Sequence, residues 1–244
     1  MEPIDTSFTP PLQTATPPSM SMADARGRLD VFIRLIVLVA FAFMGSIYIH
    51  NAWTKIHVSV NSGANNHLAL SQGLSIAAVG LYTLMIALLY ALRYRPLNAS
   101  AGLWPNMAAL FGGFLPFAFL LCDQPNDTPL DLQLTACLLI LIGNMLAAYI
   151  LTHLSRSFSI LPEARKLITT GPYQYVRHPL YVAEAMAIVG VFLTFLSWPA
   201  ALIVIAQLGF QLVRMHYEEN VLRSTFPDYA TYAQHTARII PKIY

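Results

Sequence analysis

The chain reads as an all-α, polytopic membrane bundle of about six transmembrane helices, and three observations predict it. Of its 244 residues 56% are hydrophobic and only 11% charged, where a soluble protein carries roughly 25% charged residues, and the mean hydropathy is +0.55. The apolar residues gather into runs close to the ~20 residues that a helix needs to cross ~30 Å of hydrocarbon. The gaps between those runs alternate between basic and non-basic, as the positive-inside rule demands of a consistent set of spans.

The runs are Val31 to Ile49, Leu74 to Leu92, Met107 to Leu121, Leu132 to Leu151, Tyr181 to Trp198 and Ala200 to Tyr217. The third is short and holds Gly112, Gly113 and Pro116, residues that spanning helices tolerate better than soluble ones do. Only Ser197, Trp198 and Pro199 separate the fifth from the sixth, which predicts a tight helical hairpin with both helices side by side. Arg26, Arg28 and Arg34 precede or open the first span, and Lys55 alone follows it. Arg93 and Arg95 follow the second, whereas Asp123, Asp127 and Asp131 follow the third. Arg156, Arg165, Lys166 and Arg177 follow the fourth, and Arg214, Arg223, Arg238 and Lys242 close the chain. Both termini are therefore expected in the cytoplasm, a pattern that suits a bacterial inner membrane and an endoplasmic reticulum alike.

Residues 1–25, with Pro3, Pro10, Pro11, Pro17 and Pro18 among Ser and Thr, have too little apolar surface to fold and read as a disordered cytoplasmic tail. They lack the short apolar core of a signal peptide. Residues 26–152 then form the first four helices, and 153–244 a C-terminal region that contains the hairpin. A net charge of +2 shared among loops argues against nucleic acid as a partner. Cys122 and Cys137 have no metal or redox spacing and read as packing residues. His50, His57 and His67, seven and ten residues apart, fit no helical ligand pair, so no metal is expected. No internal repeat or matched pair of broken spans points to a transporter.

Spans one to four look chemically quiet, with Arg34 close enough to an end to snorkel. The informative residues fall in the last 90. Gln207, Gln211, Arg214 and Glu218 recur at steps of four, three and four, which puts them on one helical face. Because ionisable groups in hydrocarbon cost about 2.5 to 3.5 kcal/mol each, such a stripe should face the bundle interior or a hydrated cavity. Pro179 suits the first position of the fifth helix, whose free amides then offer a seat for an anion. Tyr181 and Glu184 share a face of that helix. Arg177, His178, Tyr181, Glu184, Arg214, Glu218 and Glu219 can thus converge on one cytoplasm-facing pocket. Glu184 reads equally as a structural partner of Arg177 or Arg214 and as a ligand contact.

At this point the motifs resemble a known family. "KLITTGPYQYVRHPLY", then an apolar hairpin, then "EENVLRSTFPDYATYAQHTARIIP" resembles the isoprenylcysteine carboxyl methyltransferases and the related phospholipid methyltransferases. The likeness covers about Ser155 to Pro241. It implies a multi-pass enzyme that uses S-adenosylmethionine to methylate a lipophilic acceptor among membrane lipids, most of all by carboxyl O-methylation. Transferred by position, the family's cofactor contacts fall on Arg165, Lys166, Leu167 and Ile168, on Tyr173, on His178, Pro179, Leu180 and Tyr181, and on Glu218, with Glu219 beside it. The substrate-facing arginine falls on Arg214, so Arg214 and Glu218 are the expected catalytic pair. Pro227 replaces a usual Gly, and the cofactor-contacting Gln upstream of Gly-x-Tyr is replaced around Phe158. Competing readings are methylation of a phospholipid or small molecule at nitrogen or sulfur, a sterol-type membrane reductase, and a non-enzymatic scaffold. The reductase would call for more basic residues around its cofactor's phosphates.

Overall fold

The computed structural model describes residues 20–61, 67–100, 102–123, 125 and 127–241. Among the described residues seven α-helices order as α1 (Met20–Asn61), α2 (His67–Leu92), α3 (Leu103–Phe114), α4 (Leu130–Leu154), α5 (Pro179–Phe195), α6 (Trp198–Thr225) and α7 (Tyr229–His235). Most of the segment expected as a tail lies outside the described residues, and α1 starts within its last few positions. Four stretches are long and apolar enough to cross a membrane: Val31–Asn61, His67–Leu92, Leu130–Ser157 and Trp198–Thr225. The expected third and fifth spans are shorter apolar helices, Leu103–Phe119 and Pro179–Phe195. On α1, Val31, Phe32, Val39 and Phe43 are exposed, as side chains that face lipid tails should be.

The third segment is short in α-helical terms for a local reason. Pro116 has no N–H to donate back to Gly112, four residues earlier, and α3 gives way at Leu115 to seven residues of tighter 3-10 helix, Leu115–Leu121. The Gly112 carbonyl released in this way accepts from Gln207 Nε2 of α6 at 2.7 Å.

Pro179 opens α5, with His178 as the preceding cap residue, as the sequence predicts. At its other end Leu196 takes the left-handed conformation, φ 41°. The Ser197 side chain then accepts from the Ala200 amide to start α6. The hairpin is therefore as tight as expected, but its two helices do not lie side by side. Instead α5 packs along α4 and α6 along α3, with only slight contact between α5 and α6. Small residues explain the preference. A side chain on Gly143 of α4 would meet the Ala187 backbone of α5 at 2.6 Å, and one on Gly190 would meet the Ala136 carbonyl oxygen at 2.8 Å. With α5 held against α4 and α6 bonded to α3, the hairpin splays and leaves a cleft.

At the end of the bundle remote from that turn, the basic connections knit together. Among the described residues, a two-residue antiparallel ribbon, β1 (Asn98–Ala99) with β2 (Glu163–Ala164), and a parallel bridge between Val176 and Ala237 interrupt a mostly helical chain. Arg156 Nε donates to the Leu92 carbonyl at 2.7 Å. Asn98 Nδ2 donates to Ser224 and Thr225 hydroxyls at the end of α6. The loops after α2 and α4 and the end of α6 thus share one face of the bundle. Beneath them, Tyr90, Ile150, Leu151, Phe158 and Tyr173 belong to the main apolar core.

Candidate functional site

The polar stripe of α6 faces inward: Gln207, Gln211 and Arg214 are 4%, 2% and 6% exposed. Arg214 Nη2 donates to the Ile160 carbonyl at 3.1 Å and lies 3.7 Å from Glu218 Oε1. Its guanidinium carbon is 5.2 Å from the centre of the Tyr181 ring, within cation–π range. Gly112 makes room for it, since a side chain there would meet Arg214 Cδ at 2.9 Å. Tyr181 donates its hydroxyl to Glu218 Oε1 at 2.6 Å.

Glu184 bonds to neither arginine that the sequence suggests. Tyr82 of α2 donates to its Oε1 at 2.5 Å, and Gln211 Nε2 donates to its Oε2 at 3.1 Å. The expectation that the first four spans are chemically quiet is thereby corrected. Tyr82 was hidden because its partner lies 102 residues away and an aromatic in an apolar run looks like core. Arg93 is a second such residue: it is buried, lies over the Tyr90 ring at 3.8 Å, and contacts Glu163 at 3.7 Å.

The Arg-His-Pro stretch is a clamp. Glu219 Oε1 takes Arg177 Nε at 3.1 Å, His178 Nε2 at 2.9 Å and Arg238 Nε at 3.2 Å. Arg177 Nη1 also donates to the Ala233 and Thr236 carbonyls around the end of α7, at 2.6 and 3.0 Å. Backbone amides of Arg177 and His178 bond to the carbonyls of Ala237 and Arg238. An acid at the end of α6 therefore ties the start of α5 to α7 and the segment after it.

Two cavities border this framework. The smaller, about 120 Å³, is lined on one side by Arg165, Lys166, Leu167 and Ile168, and on the other by Tyr173, His178, Leu180, Tyr181 and Glu218. Among the expected cofactor contacts, Pro179 and Glu219 do not line it: Pro179 is spent on starting α5 and Glu219 on its three cations. Glu163, Tyr229 and Tyr232 also form its wall. The two tyrosines belong to the C-terminal motif and could have been read from it. Glu163, whose carboxylate holds Arg165 at 2.5 Å, carried no such signal. Burial pushes the Tyr173 phenol well above its ordinary range and the Tyr232 phenol up to about 12. These hydroxyls therefore stay protonated at neutral pH. Tyr232 spends its proton on the Tyr173 carbonyl at 2.6 Å.

The larger cavity, about 680 Å³, fills the cleft left by the splayed hairpin, with walls from α1 to α6. Tyr82, Glu184, Gln207 and Arg214 line one end. Arg214, Phe158 and Leu180 belong to both walls, so the two spaces are neighbours across Arg214.

The C-terminal part of the chain is similar to known proteins. Residues 132–229 match the family described as phospholipid methyltransferase, a segment that runs from α4 to the first residue of α7. The nickel-cobalt-cadmium resistance protein NccN of Alcaligenes xylosoxydans xylosoxydans is 34% identical over 84 residues, 33% of this chain and 38% of that protein. The cobalt-zinc-cadmium resistance protein CzcN of Cupriavidus metallidurans is 35% identical over 80 residues, 32% of this chain and 36% of that protein. Each match thus spans little more than a third of the relative's length. The matched segment, residues 132–229, is thus similar to the phospholipid methyltransferases, and it holds the Arg-His-Pro stretch, both helices of the hairpin and most of the wall of the smaller cavity.

Proposed function

We propose that the protein is an integral-membrane, S-adenosylmethionine-dependent methyltransferase that acts on a lipophilic acceptor, with carboxyl O-methylation of the isoprenylcysteine type as the reaction. The observation that carries this is the meeting, at Arg214, of a small hollow lined by many charged side chains and a large cavity lined by few. In this reading α3 with its 3-10 extension, and α5, complete six crossings, and the basic end with both termini faces the cytoplasm. Residues 26–152 supply most of the acceptor wall, and 153–244 the cofactor side.

The donor set of the smaller hollow fits the cofactor. S-adenosylmethionine presents a carboxylate, an ammonium, a sulfonium and an adenosine. Arg165 and Lys166 offer cations, Glu218 an acceptor, and Tyr173 and Tyr181 aromatic faces. Two buried polar atoms in the wall, Tyr229 Oη and Arg214 Nε, have no hydrogen-bond partner among the described residues, as expected of groups that await a ligand. At about 120 Å³ the hollow is below the ~300 Å³ of a ligand pocket, so the segment over it, residues 155–177, must open to admit the cofactor.

When bound, the cofactor supplies an already activated methyl group, and the protein's task is to aim the nucleophile and exclude water. Arg214 would hold an acceptor carboxylate ionised at the boundary between the spaces. Tyr181 and Glu218 fix that guanidinium from the other side. A second reading rests on Glu184, whose carboxylate lines the acceptor cavity with Arg214: for an amine acceptor, as in phospholipid N-methylation, it would take the proton. Equilibrium binding of labelled S-adenosylmethionine to the detergent-solubilised protein tests the proposal. Saturable binding, weakened by about tenfold or more in Tyr173→Ala, is expected. Absence of binding would favour the reductase or scaffold readings.

A further inference from the structure

The larger cavity is elongated along the bundle. Its lining residues extend from Phe41 to Lys55 on α1 and from Gln133 to Ala147 on α4, 14 positions in each case, or about 21 Å at the helical rise of ~1.5 Å per residue. The middle of this length is mostly apolar, with Val79, Phe117, Ile140 and Ile188 in the wall, and the polar Ser75, Thr83 and Asn144 there donate to carbonyls of their own helices. At the end remote from Arg214 the wall becomes polar again. There Lys55 Nζ donates to Gln72 Oε1 at 3.1 Å, and Gln133 Nε2 donates to the Thr128 carbonyl at 2.7 Å. Among the described residues lining the cavity, Lys55, Glu184 and Arg214 are the charged ones. Lys55 is therefore a lone cation at the far mouth, and it is exposed there.

A pocket for a simple hydrocarbon tail has no use for this ending. Terminal methyl groups would press against Lys55, Gln72 and Gln133 and strip them of water, at the cost that burying polar groups without partners carries. A tail that ends in an anion would instead pair with Lys55 and keep its hydration at an open mouth. The geometry points to an acceptor that is an elongated, two-ended amphiphile: one polar end at Arg214, an apolar body of about 20 Å, and an anionic group at Lys55. At about 1.2 Å of advance per bond in an extended chain, this distance corresponds to on the order of sixteen carbons. The inference rests on reading the larger cavity as the acceptor site; it keeps carboxyl O-methylation as the reaction and replaces a plain isoprenyl tail with one that ends in an anion. It adds to that reading the class of acceptor and a residue, Lys55, that selects it.

The test compares two probes of equal length, hexadecanedioic acid and hexadecanoic acid, for binding to the full chain in lipid nanodiscs, with decanedioic acid as a diacid too short to span both ends. The wild-type protein should prefer the sixteen-carbon diacid to the monoacid by tenfold or more, and the ten-carbon diacid should lack the advantage. In Lys55→Ala the ratio should fall to about one, and in Lys55→Glu below one. Both variants alter an exposed side chain and should bind S-adenosylmethionine as the wild type does. Equal affinities for the two sixteen-carbon acids in the wild type, a preference that survives Lys55→Ala, or no binding of either acid would overturn the inference. Loss of cofactor binding by the wild type, with the diacid preference intact, would sink the methyltransferase reading and leave the two-ended ligand standing.

Discussion

The two cavities on either side of Arg214 are built by opposite means. The smaller is made of near-contiguous sequence, residues 154–181 and 214–232, and its groups are held by ion pairs and short hydrogen bonds. The larger draws on six helices spread from Phe41 to Arg214, and it exists because small residues pull α5 onto α4 and away from α6. The charge-lined hollow is specified by which residues are present, whereas the larger cleft is specified by which helices are kept apart. Altered helix packing can therefore reshape the larger space while the smaller stays as it is.

Removing Arg214 attacks the wall the two spaces share, and should have the largest effect. Arg214→Ala is expected to lower methyl transfer by about 10²–10³-fold, the usual loss when one preorganised charge-stabilising donor is removed. Cofactor affinity should change far less, which separate binding and turnover measurements with labelled cofactor can resolve. Next comes the clamp of the smaller hollow. Glu219→Gln leaves Arg177, His178 and Arg238 around a neutral amide, and breaking such a largely buried ionic group costs about 3 kcal/mol. Loss of detergent-state thermal stability together with cofactor binding would be the signature; unchanged stability would show that the clamp is ornamental. The smallest effect is expected on the larger cavity's side. Tyr82→Phe removes one donor from Glu184 and should cost about 1 kcal/mol, seen as a several-fold fall in acceptor kcat/KM with cofactor binding untouched. An equal loss of cofactor affinity would mean that the two spaces are not separate in function.

The same contrast explains what the sequence made legible. The stripe from Gln207 to Glu218, the start of α5 at Pro179 and most of the smaller hollow could be read, because helical periodicity and dense local motifs encode them. Pairing of α5 with α4 could not. It depends on Gly143 and Gly190, whose importance is the absence of a side chain, and on partners a whole helix apart. Tyr82 escaped for a similar reason, since nothing near it in sequence distinguishes a hydroxyl aimed at a carboxylate from one more core aromatic. Glu219 and Pro179 lie beside the smaller hollow without lining it, because a motif shows that a residue matters without showing which of its neighbours consumes its hydrogen bonds.

Leu196 gives the splayed hairpin a mechanical meaning. Held in its left-handed conformation at the turn, it is the fulcrum of a lever whose arm to Arg214, 16 positions along α6 from Trp198, is about 24 Å. Tilting the arm by about 5° would swing the guanidinium through about 2 Å, and misalignment on the order of 1 Å already costs reactions dearly. The position of the guanidinium is thus sensitive to the far end of the hairpin, where the backbone of Leu196 fixes the angle between α5 and α6.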